Sequence, residues 1–371
     1  MKVLYVIPYP KFFSQHNSVG GHVTHCIGIL QAFLKRGAIV RFLGEETDDV
    51  LNDLDISTSI YPQQGSGYLA RHLWLLGFLR KLETSLSEFQ PDIVYMRYSA
   101  SAALWYPLFR RLLKDKDFIL EVNSLGSQHI KYLKFFDRKM LSSASTVVSI
   151  STLLSEFISE QLGIESITVP NGIDECRIPE TLVSQQILTS ANNIQIVYTG
   201  LLKPNYGLEF AVNTLESIAA KYDIDFTVIG DGPLMPELQA MALQRPWLKI
   251  IGPVSFKDIP RILTEANILL YPSGRFNKFQ SPTKLFEYMA AARPIVAVKT
   301  EQTQKLLGNG KYGYLFDIDD PIGLQNSIIE ILSDTEKAEA KAKEARTIAI
   351  KYHSWDSRLE SILKDRSVEI I

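Results

Sequence analysis

Short apolar runs rich in Val and Ile alternate with longer helix-patterned stretches along nearly the whole chain, and the series occurs twice. The first set of runs covers 3–7, 40–43, 93–96, 118–122, 146–150 and 166–169; the second covers 194–198, 226–229, 249–251, 268–271 and 295–298. Brief strands of this kind, each followed by a stretch with helical spacing, predict parallel βαβ units, because a parallel strand can be reached only by a crossover. The stretch 22–35 shows the pattern: Val23, Ile27, Leu30 and Leu34 share one helical face, and Gly37 ends it. Between the two series lies a polar segment running to about Asn193, with Pro179, Ser184, Gln185, Gln186, Ser190 and Asn192, which reads as a connector. The stretch 335–363 is rich in Ala, Lys and Glu and reads as helix. Two successive α/β halves, each with its own sheet, account for the 371 residues.

Composition narrows the function classes. Hydrophobic residues make up 46% and charged residues 22%, which suits a packed globular chain and not a disordered one. Lys and Arg number 39 against 41 Asp and Glu, so there is no global positive field to gather nucleic acid. Charge is uneven, however: 69–140 holds 12 Lys/Arg and 7 Asp/Glu, leaving 27 against 34 elsewhere. The two cysteines, Cys26 and Cys176, have no metal-site or paired spacing, so neither a disulfide framework nor zinc is expected and a reducing compartment fits. Pro8 cuts short the N-terminal apolar run, and no apolar stretch approaches the roughly 20 residues that span a bilayer. The expected location is the cytoplasm, with attachment at the inner face of the membrane open.

Two places carry anion-binding chemistry. Gly20-Gly21 stands at the first strand-to-helix connection, where main-chain N–H groups can approach an anion; the same pair can also be a plain turn, and G-x-G-x-x-G is missing. The second is Ser281-Pro282-Thr283-Lys284, opening a helix after the run at 268–271. Pro282 suits a first turn, so Thr283 and Lys284 would offer amide groups beside a cationic side chain. Glu287 lies three residues after Lys284 on the same face, placed either to accept hydrogen bonds from a ribose diol or to pair with Lys284.

These residues, with Pro170-Asn171-Gly172-Ile173-Asp174, Gly230-Asp231-Gly232-Pro233 and Gly252-Pro253-Val254 in order along the chain, resemble a nucleotide-sugar glycosyltransferase of family 4 with the GT-B fold. The resemblance implies two Rossmann-like domains facing across a cleft: an acceptor-side domain at 1–175, a nucleotide-sugar-binding domain at 176–350, and a final helix at 351–371 packing back on the first. It implies retained stereochemistry, no metal and no cofactor beyond the nucleoside diphosphate sugar, with UDP- or GDP-sugars favoured. Gly20 and Gly21 would lie against the diphosphate, and Ser281, Pro282, Thr283 and Lys284 would meet it from the other side. Glu287 would hold the ribose, and Pro253 and Val254 the nucleobase.

The chain departs from the family pattern at three points. A glutamate expected eight positions before Glu287 is Phe279, for which Gln280 is a partial substitute. In Gly200-Leu201-Leu202-Lys203-Pro204-Asn205-Tyr206-Gly207, Leu201 and Tyr206 stand where a basic pair is usual, so Lys284, Lys203 and Arg275 become the candidates for diphosphate charge, with Gly200 beside them. The histidine that many relatives carry after the fourth strand is here Arg97 or Tyr98. The pattern, together with Glu121 and Asn123, looks like a subgroup in which Ser-Pro-x-Lys replaces the glutamate pair. Lys284, Glu287 and Arg97 are the catalytic candidates; His25, Tyr98, Glu121 and Asn123 are the acceptor-side ones. His22 and His25 also fit a helix surface or core edge.

Three segments of the first half, at 69–81, 104–111 and 130–139, interleave aromatic, aliphatic and basic residues. They suit either an anionic membrane surface carrying a lipid-linked acceptor or an ordinary core with solvated charges. The competing functions are a noncatalytic nucleotide-sugar partner or scaffold, and an epimerase of the same fold.

Overall fold

The computed structural model describes residues 1–10, 12, 21–45, 51–62, 67–174, 177–183, 193–255, 257–273, 279 and 281–364. The chain divides into two compact units: Met1–Asn171 with Phe279–Ser281 and Trp355–Ile371, and Gly172–Lys278 with Pro282–Ser354.

The first unit holds a seven-stranded parallel sheet ordered β3-β2-β1-β4-β5-β6-β7, formed by β1 (Lys2–Val6), β2 (Ile39–Gly44), β3 (Ser57–Ile60), β4 (Ile93–Arg97), β5 (Asp117–Val122), β6 (Thr146–Ser149) and β7 (Ile167–Thr168). Its central strands are apolar on both faces because helices cover both. β4 is buried along its whole length, and Val3, Leu4, Tyr5 and Val6 of β1 are fully buried. Its helices include α1 (Gly21–Lys35), α2 (Tyr68–Phe89) and α3 (Lys134–Leu141). The last helix, Trp355–Lys364, packs on α1. Gly28 permits that approach: a Cβ there would lie 2.3 Å from the Trp355 indole.

The second unit holds a six-stranded parallel sheet ordered β10-β9-β8-β11-β12-β13, formed by β8 (Ile194–Thr199), β9 (Ile224–Ile229), β10 (Leu248–Ile251), β11 (Ile268–Tyr271), β12 (Ile295–Val298) and β13 (Tyr314–Phe316). Helix α4 (Leu208–Ala219) follows β8, and α5 (Thr283–Ala290) precedes β12. Strand order reverses between β1 and β4 in the first sheet and between β8 and β11 in the second. Open α/β sheets form crevices beyond the strands' carboxyl ends at such points, because the flanking crossovers leave in opposite directions.

Four expectations are corrected. Two edge strands were not foreseen: β3, because Ser-Thr-Ser-Ile at the sheet edge has no buried face, and β13, because three residues make too short an apolar run. The helical stretch at 335–363 is two helices, Thr335–His353 and Trp355–Lys364. They part at Ser354, whose extended backbone bridges to Ile173, with Ile173 N–H donating to His353 O at 2.8 Å. The connector carries structure where it is described: Ile178 is buried and Glu180–Val183 is helical. Finally, Phe279–Ser281 groups with the first unit, since Phe279 packs on Phe157 with ring centroids 5.5 Å apart and its carbonyl accepts from Ser151 Oγ at 2.7 Å.

Candidate active site

In the second unit the switch point is built by the loops after β8 and β9 together with α5. Gly200 N–H donates to Ile229 O at 2.8 Å and Leu202 N–H to Asp231 O at 2.8 Å, so the two loops interlock. Gly230 makes this possible: its φ is +145°, and a Cβ would fall 1.8 Å from Gly200 O. Main-chain packing is thus what the Gly-Asp-Gly-Pro motif does here. Gly200 itself has φ +132°, and a Cβ on it would sit 2.2 Å from Lys284 Nζ. The missing side chain leaves a slot that the lysine fills.

Lys284 is partly buried, with Nζ 3.8 Å from the centroid of the Tyr198 ring. Tyr198 is anchored by donating to Leu201 O at 2.9 Å, and Tyr288 OH accepts from Thr199 N–H at 3.0 Å. Desolvation among these rings lowers Lys284 to about 7, against the upward pull of Glu287. Glu287 does not pair with Lys284: its Oε1 takes Arg177 Nη1 at 2.8 Å. Arg177 carried no signal in the sequence, since it lies in the connector and reaches Glu287 across 110 positions.

Of the other donor candidates, Pro282 caps α5, accepting from Leu285 N–H at 2.9 Å, and Thr283 and Lys284 form its first turn. Lys203 and Val254 are partly buried and Pro253 is exposed, Val254 packing on the second unit's core. Ser281 is buried: its Oγ accepts from Asn171 N–H at 2.9 Å and its carbonyl from Asn171 Nδ2 at 3.1 Å. Gly21 is exposed at the start of α1. Gly20, Arg275 and Gln280 lie outside the described residues. A separate hollow of about 330 Å³ near the ends of β11, β12 and β13 contains none of these candidates; its Glu209 and Asp319 carboxylates have the wrong sign for a diphosphate.

The first unit's switch point is occupied by a polar network around Glu121, which is fully buried. Tyr95 OH donates to this carboxylate, His25 Nε2 lies 2.5 Å from Oε1, and Arg358 Nη2 from the last helix lies 3.1 Å from the same oxygen. Asn123, with its amide oriented to satisfy both neighbours, donates to Glu121 Oε1 at 3.3 Å and accepts from Arg97 Nη2 at 2.8 Å. Arg97 Nη1 donates to His22 O at 3.0 Å, and His25 Nδ1 meets Asn171 Oδ1 at 2.7 Å. Burial alone would raise the Glu121 carboxyl; Arg358, His25 and Arg97 hold it well below the usual range. Tyr98 OH donates to buried Asp137 and accepts from Gly126 N–H at 3.3 Å. The expected acceptor-side residues His25, Tyr98 and Glu121 are therefore engaged with protein partners inside the unit. Arg358 was not a candidate; no local pattern marks a helix arginine that becomes buried.

Among the described residues, no group of three or more His, Cys, Asp or Glu is arranged to hold a metal, and no helix is long and apolar enough to cross a membrane.

Residues 19–177 match the family described as Glycosyltransferase Family 4, and residues 193–334 match Glycosyl transferases group 1. The chain belongs to these glycosyltransferases and has the GT-B fold. It is 21% identical to an uncharacterized glycosyltransferase of Methanocaldococcus jannaschii, over 68% of this chain and 70% of that one. It is 24% identical to the putative teichuronic acid biosynthesis glycosyltransferase TuaH of Bacillus subtilis, over 67% of this chain and 63% of TuaH. Among solved structures, Anabaena Alr3699/HepE in complex with UDP aligns with a TM-score of 0.74 at 18% identity, covering 99% of this chain and 100% of HepE.

Proposed function

We propose that the protein is a retaining glycosyltransferase that moves a sugar from a nucleoside diphosphate sugar to a hydroxyl of a glycan or lipid-linked saccharide, in surface polysaccharide or glycolipid assembly. The observation that carries this is Lys284, whose ammonium is held against Gly200 at the second sheet's switch point, with the Glu287 carboxylate one turn deeper on α5. A departing diphosphate needs positive potential where its charge develops, and Lys284 with the amide-bearing first turn of α5 supplies it without a metal. Glu287 accepts from the ribose diol, and main chain near Pro253 and Val254 meets the base. UDP and GDP are the favoured nucleotides; the likeness to HepE, solved with UDP, supports the former. In same-face transfer the leaving phosphate takes the acceptor proton, so no protein base is required.

The test is incubation with UDP-, GDP-, ADP- and TDP-sugars, with and without extracted lipid-linked acceptors. Release of one nucleotide, abolished by Lys284→Ala and strongly reduced by Glu287→Ala, is expected. Absence of turnover with every donor and acceptor refutes the assignment.

A lipid-linked acceptor has structural support in the first unit. Leu69, Leu73 and Leu76 on α2, and Ile130, Tyr132 and Phe135 at and before α3, are exposed, Tyr132 by 77%. Arg71, Lys131, Lys134, Arg138 and Lys139 are exposed on the same segments, where the one acid of α3, Asp137, is buried. Apolar area and cations together favour an anionic bilayer. Flotation with anionic vesicles should be lost in the Lys131, Lys134, Arg138 and Lys139 alanine variant; no binding by the native protein removes the membrane from the reading.

A further inference from the structure

Lys284 and Glu287 stand three positions apart on one helix, a spacing at which oppositely charged side chains ordinarily pair. They are kept apart instead. Glu287 Oε1 is taken by Arg177 at 2.8 Å, with both side chains only 15–16% exposed. Lys284, among the described residues, has no ion-pair partner; its ammonium rests on the Tyr198 ring face at 3.8 Å and in the slot left by Gly200. The charged group that acts on it is Glu287 on α5 itself, and the Tyr198 ring on which it rests is in turn faced by Tyr206 on the following loop, Tyr271 at the end of β11 and Tyr288 on α5. Glu287 is therefore the acid within reach, and Arg177 occupies it.

We propose that Arg177 is a positioning residue that holds the Glu287 carboxylate off Lys284, keeping the ammonium for the donor's diphosphate and the carboxylate for its ribose. This rests on the donor reading given above and adds the residue that keeps its two polar contacts distinct. The chemistry favours arginine for the task. A guanidinium stays charged at any relevant pH and binds a carboxylate in a fixed plane, whereas an ammonium is a mobile point charge. Without Arg177, the carboxylate gains most by turning to Lys284. The pair would then neutralise itself, and a donor would have to break it.

The consequence appears in the free protein, before any ligand is added. Burial disfavours the charge and lowers Lys284 to about 7. Pairing with Glu287 would raise that midpoint by about one to three units. Lysine-selective 13C NMR follows the titration from about pH 6 to about pH 10, with Lys284→Met identifying the resonance. In Arg177→Met the midpoint should rise by at least about one unit. Arg177→Lys, which retains a cation for Glu287, should leave it near the native value and serves if the methionine variant folds poorly. In parallel, calorimetry with UDP and GDP should show about tenfold or weaker binding for Arg177→Met at neutral pH, and native affinity should fall as Lys284 deprotonates above pH 7. An unmoved midpoint in a folded Arg177→Met protein overturns the proposal whatever the nucleotide does. Failure of both nucleotides to bind the native protein removes the UDP- or GDP-sugar donor reading, while the lysine titration still decides what Arg177 does to the pair.

Discussion

Replacing Arg358 with methionine removes one guanidinium from the interior of the first unit and tests whether the last helix is anchored by charge. Arg358 is 2% exposed and donates to Pro170 O at 2.9 Å, to Glu121 Oε1 at 3.1 Å and to Tyr95 OH at 3.3 Å. The methionine fills much of the same volume, so cavity formation is a small part of the cost. The large part is Glu121, left wholly buried with its main counter-charge gone; breaking such a pair costs about 3–5 kcal/mol. His25, Asn123 and Arg97 remain near the carboxylate, which places the expectation at the lower end, about 3 kcal/mol. The last helix has its own local opening equilibrium, so hydrogen exchange read on the peptide covering it is the suitable assay. At about 1.4 kcal/mol per decade, exchange of that helix should accelerate by about a hundredfold. Adding Glu121→Gln to the variant should recover about 1 kcal/mol or more, because the stranded charge disappears. Exchange within about threefold of the native rate, or a double variant whose cost equals the sum of the singles, would refute the reasoning.

Three further outcomes follow from the geometry. Gly200→Ala must hold alanine at φ +132° with its Cβ 2.2 Å from Lys284 Nζ; a loss of about 1–3 kcal/mol in urea unfolding together with weakened nucleotide binding is expected, and a neutral result would show that the slot is not used. Because the folded carboxyl of Glu121 is depressed, its contribution is complete above about pH 4.5 and is lost as pH falls further, at up to about 1.4 kcal/mol per pH unit. Glu121→Gln should flatten the acid limb of stability against pH, and an identical slope in both proteins would argue against the charged network. Gly28→Ala, despite alanine's better helix propensity, should destabilise the protein by displacing Trp355; a higher melting temperature would show that the last helix tolerates the shift.

Eleven of the thirteen strands were readable because buried parallel strands leave a local mark: several consecutive apolar, β-branched residues between turn formers, as in β1 and β12; β13, only three residues long, was missed. β3 left none, since an edge strand of Ser and Thr takes its partners from β2 and buries little. The break at Ser354 was hidden for a related reason, because helix propensity is local and the bridge to Ile173 is not. At the candidate site, Lys284 and Glu287 were legible as residue types at a helical spacing after a strand. Their separation was not. Phe279 stood out as a lost acid in the sequence, and the structure gives it an apolar role against Phe157.

The sequence alone determined the alternation of strands and helices, the division into two halves and the cationic helix start at Lys284, because each depends on neighbours within a few residues. Tertiary structure decided which charges meet: Arg177 with Glu287 across 110 positions, and Arg358 with Glu121 across 237. A charge inside a protein is stabilised by whatever opposite charge the fold brings within a few ångströms, and no local spacing encodes that distance.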